Sequence, residues 1–125
     1  MQIRRYVSKN MFATNSYLVW DEESKKAFIV DPGSDFPEAA EFIEKEGLDL
    51  EYIIITHAHG DHTGGIDFLK SRFPEVKLLA SRAERKMLFD RHASMGKGGY
   101  TADVEGRDGD SLDVGGIKLS FIDCP

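Results

Sequence analysis

The sequence predicts an α/β domain in which a mixed β-sheet carries its helices against one face. The apolar run YIIIT (52–56) has the composition of a strand that is covered on both faces. Segments whose apolar residues recur at helical spacing lie on both sides of this run in the chain. Short segments rich in aromatic and β-branched residues, typical of further strands, come before and after them.

The first predicted elements are a β-hairpin and a helix. NSYLVW (15–20) and AFIVD (27–31) are rich in strand-forming residues, and the polar sequence between them predicts a turn. The sequence PGSD then interrupts the pattern. In FPEAAEFIEKEG (36–47), apolar residues recur at helical spacing, and Gly47 stands where a helix would end.

After the apolar run, the chain alternates between predicted helices and strands. In order, the elements are a helix over 63–73, a strand over 76–80, a helix over 82–90, a long glycine-rich loop over 92–109 and a hairpin over 111–123. Gly115 and Gly116 stand at the turn of that hairpin. The alternation of Ile117, Leu119 and Phe121 puts these side chains on one face of its second strand.

The composition is that of a globular protein with one domain. The chain has 125 residues, 41% of them hydrophobic and 30% charged. We expect no membrane partner, because no apolar stretch approaches the ~20 residues that span a bilayer and the N-terminal sequence is too polar for a signal peptide. A single cysteine, Cys124, excludes an intrachain disulfide and favours a cytoplasmic location. The net charge of −6 disfavours a nucleic-acid partner.

Three of the four histidines lie within the segment THAHGDH (56–62), directly after the predicted buried strand. His57 and His59 are two residues apart, so in extended backbone both imidazoles can face one metal ion. Asp61 and His62 follow where the chain begins to turn, and they could start a second metal site. This grouping favours a metal site over a chance cluster. His92 stands alone in the predicted loop, and for it a structural role is favoured.

The segment THAHGDH resembles the H-x-H-x-D-H signature of the metallo-β-lactamase superfamily, which has an αββα fold. The resemblance extends to the hairpin and D-P-G turn of NSYLVW…AFIVDPG and to the strands of RDGDSLDVGGIKLSFID (107–123). It covers nearly the whole chain. The resemblance implies that the chain is the N-terminal half of an αββα sandwich, with helices on one face of a mixed sheet.

The resemblance also implies a set of site residues and cofactors. His57 and His59 would bind the first of two divalent metal ions, and Asp61 and His62 the second. Zinc is favoured for both, with iron and manganese as alternatives. Asp31 would support the metal site without binding a metal; the alternative interpretation is an aspartate that only caps its turn.

Members of the superfamily continue into a P-G-H-T-like segment, whose histidine completes the first site, whereas this chain stops at D-C-P (123–125). We therefore expect residues 1–125 to be a single domain truncated before that third histidine, with little activity alone. The apolar alternation of 117–121 and one face of 52–55 would normally meet the missing sheet. We expect the isolated chain to self-associate through these residues or to pack on the missing half.

The function that the resemblance implies is metal-dependent hydrolysis by a metal-activated hydroxide, with Asp61 helping to orient that hydroxide. The N-terminal pattern is most similar to glyoxalase-II-type thioesterases, which favours small-molecule thioesters or related esters and lactones as substrates. Two alternatives are a phosphodiesterase that acts on RNA and a non-catalytic metal-binding or interaction module.

Overall fold

The computed structural model of the chain describes residues 1–7, 15–56, 65–81, 104–106 and 111–120. The strands formed by these residues make up two sheets, and two helices accompany them. The strands are β1 (Gln2–Val7), β2 (Asn15–Trp20), β3 (Lys26–Val30), β4 (Asp49–Ile55), β5 (Lys77–Ser81), β6 (Val104–Gly106), β7 (Ser111–Val114) and β8 (Ile117–Ser120); the helices are α1 (Pro37–Lys45) and α2 (Ile66–Arg72).

The larger sheet contains β1 to β6 side by side in the order of the sequence. β2 pairs antiparallel with β1 and with β3, as the predicted hairpin requires. From β3 to β6 each neighbouring pair is parallel. The prediction of a mixed sheet is therefore confirmed, and the carboxyl ends of β3 to β6 lie at one edge of it.

One face of this sheet packs against both helices. The register aligns one apolar residue from each inner strand across this face, and all four are 0% exposed: Leu18, Ile29, Ile53 and Leu78. Ala39 and Ile43 of α1 and Leu69 of α2 belong to the same cluster. The predicted arrangement of helices on one face is confirmed. Neither α1 nor α2 has the length and apolar character of a membrane-spanning helix.

The opposite face of the sheet packs against the β7–β8 hairpin. Val114 of β7 is 0% exposed and forms a second apolar cluster with Val19 and Phe28. At the hairpin turn, the hydroxyl of Ser24 donates to the carbonyl oxygen of Gly115 at 3.2 Å. The hairpin therefore begins a second layer, as half of an αββα sandwich requires.

The residues that we expected to face a missing sheet already lie partly against one another. Half-buried side chains from both sheets pack on the second cluster: Val30, Tyr52, Ile54, Leu112, Ile117 and Leu119. Phe121, expected on the same face, lies outside the described residues. Within this part of the chain, the hairpin supplies some of the cover that we had assigned to the missing half.

Two strands were not predicted from the sequence. β1 has five exposed residues out of six, and only Tyr6 is buried, so it carries almost no apolar alternation. β6 lies inside the predicted loop 92–109 and has three residues, paired with the end of β5. Among the described strands, both are outermost in the sheet and pair on one side only, and there the sequence pattern is weak.

The bounds of the other elements differ from the prediction by a few residues. β4 begins at Asp49, three residues before the predicted start, because Leu50 is buried while the flanking acidic residues are not. Both acidic residues pair with Lys26, whose ammonium lies 2.7 Å from Asp49 and 3.8 Å from Glu51. The first predicted helix ends as expected, with Gly47 at a φ of 67°. The helix predicted over 82–90 lies outside the described residues.

Candidate metal centre

The four predicted metal ligands, His57, His59, Asp61 and His62, lie outside the described residues. The residues that border this part of the chain are described. Thr56 follows β4 directly, and Gly65 is the first described residue after the gap and precedes α2. The residues 57–64 between them are called the ligand segment below. The structure thus describes the residues on either side of the ligand segment, and it describes Asp31.

Three parts of the chain meet at the edge of the sheet where the ligand segment begins. β3 and β4 are parallel, so Asp31 and Thr56 follow their strands at the same edge. β2 is antiparallel to β3, so its first residues, including Ser16, lie there too. The carboxyl edge of a parallel sheet is where α/β proteins commonly bind ligands. Thr56, the last described residue before the predicted ligands, therefore lies at an edge suited to a site.

The side chain of Asp31 holds the residue that precedes the ligand segment. One carboxylate oxygen, Oδ1, accepts from the backbone N–H of Thr56 at 2.7 Å, and the other, Oδ2, accepts from the Thr56 hydroxyl. Asp31 is only 6% exposed. Hydrogen bonds to a charged acceptor are stronger than those between neutral groups. Thr56, the residue before the ligand segment, is thus held by a buried carboxylate.

The backbone of Asp31 adopts a left-handed conformation, with a φ of 49°. An L-residue pays about 1–2 kcal/mol for this conformation, and aspartate tolerates it better than most residues. Its N–H donates to the carbonyl oxygen of Ile54 at 2.8 Å, and its own carbonyl oxygen accepts from the Ser16 hydroxyl at 2.6 Å. Together with the bonds to Thr56, these contacts hold a conformation that would otherwise relax.

Ser16 connects β2 to the chain that follows β3. Its side chain is 0% exposed, and besides donating to Asp31 its hydroxyl oxygen accepts from the N–H of Gly33 at 3.4 Å. The sequence analysis did not single out this residue. A usable signal was present: in NSYLVW, Ser16 alternates with Leu18 and Trp20 and so occupies an inward position of β2. A serine among inward apolar residues implies a specific hydrogen-bonding role.

Gly65 connects the end of the ligand segment to the same residues after β3. Its N–H donates to the carbonyl oxygen of Pro32 at 2.7 Å. A Cβ at this position would lie 2.3 Å from the carbonyl oxygen of Ser34 and 3.0 Å from that of Pro32. Since its φ of −95° is open to any residue, space and not conformation requires glycine here. Residues 31–34, called the clamp segment below, therefore hold Thr56 and Gly65, the two residues that flank the ligand segment.

Gly65→Ala is expected to disturb this contact strongly. The new methyl group would overlap backbone atoms, which cannot move aside as a flexible side chain would. We expect the free energy of unfolding to fall by about 1–3 kcal/mol, the usual range for overpacking, and zinc to bind more weakly.

Denaturant unfolding and zinc titration of the complete protein measure the two effects. Gly47→Ala is the control, since its Cβ would have nothing within 4 Å and its φ of 67° confines the cost to left-handed backbone. Equal zinc affinity in the two variants would contradict the role given to Gly65.

The donor set of the ligand segment suits a divalent metal. Neutral imidazoles and carboxylates are ligands that Zn²⁺ and related ions accept in proteins. The clamp segment supports this fit, because it holds Thr56 and Gly65, the residues on either side of the donor-bearing segment. Among the described residues themselves, no three His, Cys, Asp or Glu side chains are grouped so as to hold an ion.

Comparison with known proteins gives the family. Residues 10–123 match the family model described as the metallo-beta-lactamase superfamily. The chain belongs to this superfamily. The match includes the ligand segment and the clamp segment, and it confirms the resemblance seen in THAHGDH.

Two curated relatives are each named hydroxyacylglutathione hydrolase. The one from Francisella tularensis subsp. novicida (strain U112) is 42% identical over 81 residues, which are 64% of this chain and 31% of that protein. The one from Chromohalobacter salexigens is 49% identical over 57 residues, which are 46% of this chain and 22% of that protein. The chain thus spans about a third or less of the length of these relatives.

Solved structures of the superfamily have the same fold. The crystal structure of BLEG-1 B3 metallo-beta-lactamase aligns with a TM-score of 0.74 and 25% identity, and the alignment covers 95% of this chain and 59% of that one. The prediction of an N-terminal half of this fold is confirmed by that likeness.

Proposed function

We propose that the chain is the N-terminal part of a metal-dependent hydrolase that acts on small thioesters or related esters and lactones. The observation that carries the proposal is the clamp segment, which holds Thr56 and Gly65, the two residues that flank a segment rich in metal-binding side chains. The relatives named hydroxyacylglutathione hydrolase support hydrolysis as the reaction and a thioester as the substrate class.

The chain offers four metal ligands in this proposal. His57 and His59 would hold one ion, and Asp61 and His62 a second, with zinc favoured over iron or manganese. Such ions lower the pKa of a bound water toward ~7 and so supply a nucleophile at neutral pH. Asp61 would accept a hydrogen bond from that nucleophile and orient it toward the substrate carbonyl. Further ligands would come from residues beyond this chain.

The described residues would act on the site by fixing its geometry. Asp31 binds both the N–H and the hydroxyl of Thr56, so the residue before His57 has little freedom to move. The bond from Gly65 to Pro32 gives the other end of the ligand segment a similar restraint. A metal site loses affinity when its ligands must be ordered at binding, so such restraints favour tight binding.

The rest of the complete protein would pack on the face of the larger sheet that lies opposite the helices. Beyond the area under the β7–β8 hairpin, Ile3, Val7 and Tyr17 are 57%, 48% and 39% exposed. In the register Ile3 lies opposite Val19, Tyr17 opposite Val30 and Val7 opposite Asn15, so all three side chains share the face of Val19 and Val30. Self-association of the isolated chain would use the same surface. A cytoplasmic location stays a prediction from the single cysteine.

The test is a substrate panel with the complete protein. We expect about two equivalents of zinc per chain by elemental analysis, turnover of a glutathione thioester, and loss of that turnover on chelation with recovery when zinc is restored. Lactone hydrolysis would fit the same site, whereas cleavage of RNA without thioester turnover would favour the phosphodiesterase. Metal binding without hydrolysis of any of these would favour the non-catalytic module.

A further inference from the structure

We propose that Ser16 is a positioning residue for the ligand segment and acts through Asp31. The inference rests on the proposed function, because it concerns the metal ligands of that site. Ser16 and Asp31 are the two polar residues that are buried among the described residues. They come from different strands, β2 and β3, and they are joined directly by a hydrogen bond of 2.6 Å.

The hydroxyl of Ser16 makes two bonds at once, one as donor and one as acceptor. It donates to the carbonyl oxygen of Asp31 and accepts from the N–H of Gly33, and so it spans the peptide groups on both sides of Pro32. Because the side chain is 0% exposed, no bulk water can replace these bonds. This one side chain therefore helps to hold two consecutive peptide groups of the clamp segment.

The left-handed backbone of Asp31 links its hydrogen bond with Ser16 to the position of the ligand segment. With a φ of 49°, Asp31 would move toward an ordinary backbone conformation if its carbonyl oxygen were released. Its side chain leaves the same Cα atom, so the carboxylate that holds Thr56 would shift with it. Gly65 binds the carbonyl oxygen of Pro32, the next residue. Loss of the Ser16 hydroxyl would thus loosen the contacts to Thr56 and to Gly65, on either side of the ligand segment, together.

A matched control exists within the same chain. Ser24 also donates to a carbonyl oxygen, that of Gly115 at 3.2 Å, and also accepts from a backbone N–H, that of Lys26 at 3.3 Å. It lies in the connection between β2 and β3, at the opposite end of those strands from Ser16. Ser24→Ala therefore removes the same kind of bonds far from the ligand segment.

The test uses the complete protein and measures metal binding apart from catalysis. Zinc affinity is obtained by competition with a chromophoric chelator, and the site geometry is followed by the visible absorption bands of bound Co²⁺. We expect Ser16→Ala to bind zinc about 10-fold more weakly, the lower end of the 10–100-fold loss typical when a residue that orients a ligand is removed. The Co²⁺ bands should shift, and Ser24→Ala should keep the wild-type affinity and bands.

Thermal stability of the metal-free protein is recorded in parallel, because a merely structural serine would lower that stability alone. Ser16→Ala with wild-type zinc affinity and Co²⁺ bands would overturn the inference while leaving the proposed function in place. A wild-type protein that binds no divalent metal would overturn the proposed function, and this inference with it. If Ser16→Ala does not fold, Ser16→Cys retains a weak donor and acceptor of similar volume and gives the same comparison.

Discussion

Replacing His57 or His59 by alanine in the complete protein is expected to lower thioester hydrolysis by more than about 100-fold. That figure is the upper end of the loss in affinity or activity when a residue that only orients a metal ligand is removed. Each of these histidines would supply one of the imidazoles of the first metal site, so its loss should cost more than the loss of such a residue. The metal content should fall from about two equivalents to about one or less.

Initial rates at saturating substrate and elemental analysis of the dialysed variants measure these effects. His92→Ala is the matched control, since it removes the one histidine that lies outside the cluster. It should keep both the rate and the metal content of the wild type. A His57→Ala variant that folds, retains two equivalents of metal and turns over thioester at the wild-type rate would show that the assigned ligands are wrong.

The inner strands and the first helix could be predicted because the apolar pattern of their sequence matches the burial of their side chains. β2, β3 and β5 have the strand-forming composition that their 0% exposed residues, such as Leu18 and Leu78, require. In α1, Ala40 and Ile43 are 0% exposed, as their helical spacing predicts. Such elements bury most of their apolar residues against a neighbouring element, so the spacing of apolar residues in the sequence predicts the element directly.

The outer strands and the clamp segment could not be predicted, for different reasons. β1 has exposed residues on both of its faces. Its pairing with β2 is made by backbone hydrogen bonds, which leave no apolar pattern in the sequence. In the clamp segment, the carbonyl oxygens of Asp31 and Pro32 accept bonds from residues 15 and 33 positions away in the chain. Every residue has a backbone carbonyl oxygen, so the sequence does not show which of them will accept such a bond. The acidic side chain was noticed, but its partners depend on how β2, β3 and β4 align.

Asp31→Ala is expected to destabilise the protein by about 3 kcal/mol in the free energy of unfolding. It removes two hydrogen bonds from Thr56 to a buried carboxylate, and bonds to a charged group contribute about 1.5–3 kcal/mol each. It also puts alanine in a left-handed conformation that costs about 1–2 kcal/mol. The separate costs overlap, because a relaxed backbone would release part of the strain. The loss remains large against a total stability of about 5–15 kcal/mol.

Asp31→Asn is the matched variant for the carboxylate. Its amide oxygen can still accept from the Thr56 N–H, its NH₂ group can donate to the Thr56 hydroxyl, and asparagine tolerates the left-handed backbone. We expect it to lose about 1 kcal/mol, the net contribution of an ordinary hydrogen bond. Denaturant unfolding of the metal-free complete protein ranks the wild type, asparagine and alanine in decreasing order of stability.

Zinc affinity of the same variants decides between the two interpretations of Asp31. If the carboxylate only caps its turn, alanine lowers stability while the folded protein binds zinc as tightly as the wild type. If it positions the ligand segment through Thr56, zinc affinity falls by about 10–100-fold in Asp31→Ala and far less in Asp31→Asn. We expect the second result, because both carboxylate oxygens bind the residue that immediately precedes His57. Unchanged zinc affinity in a folded Asp31→Ala variant would assign this aspartate to the turn alone.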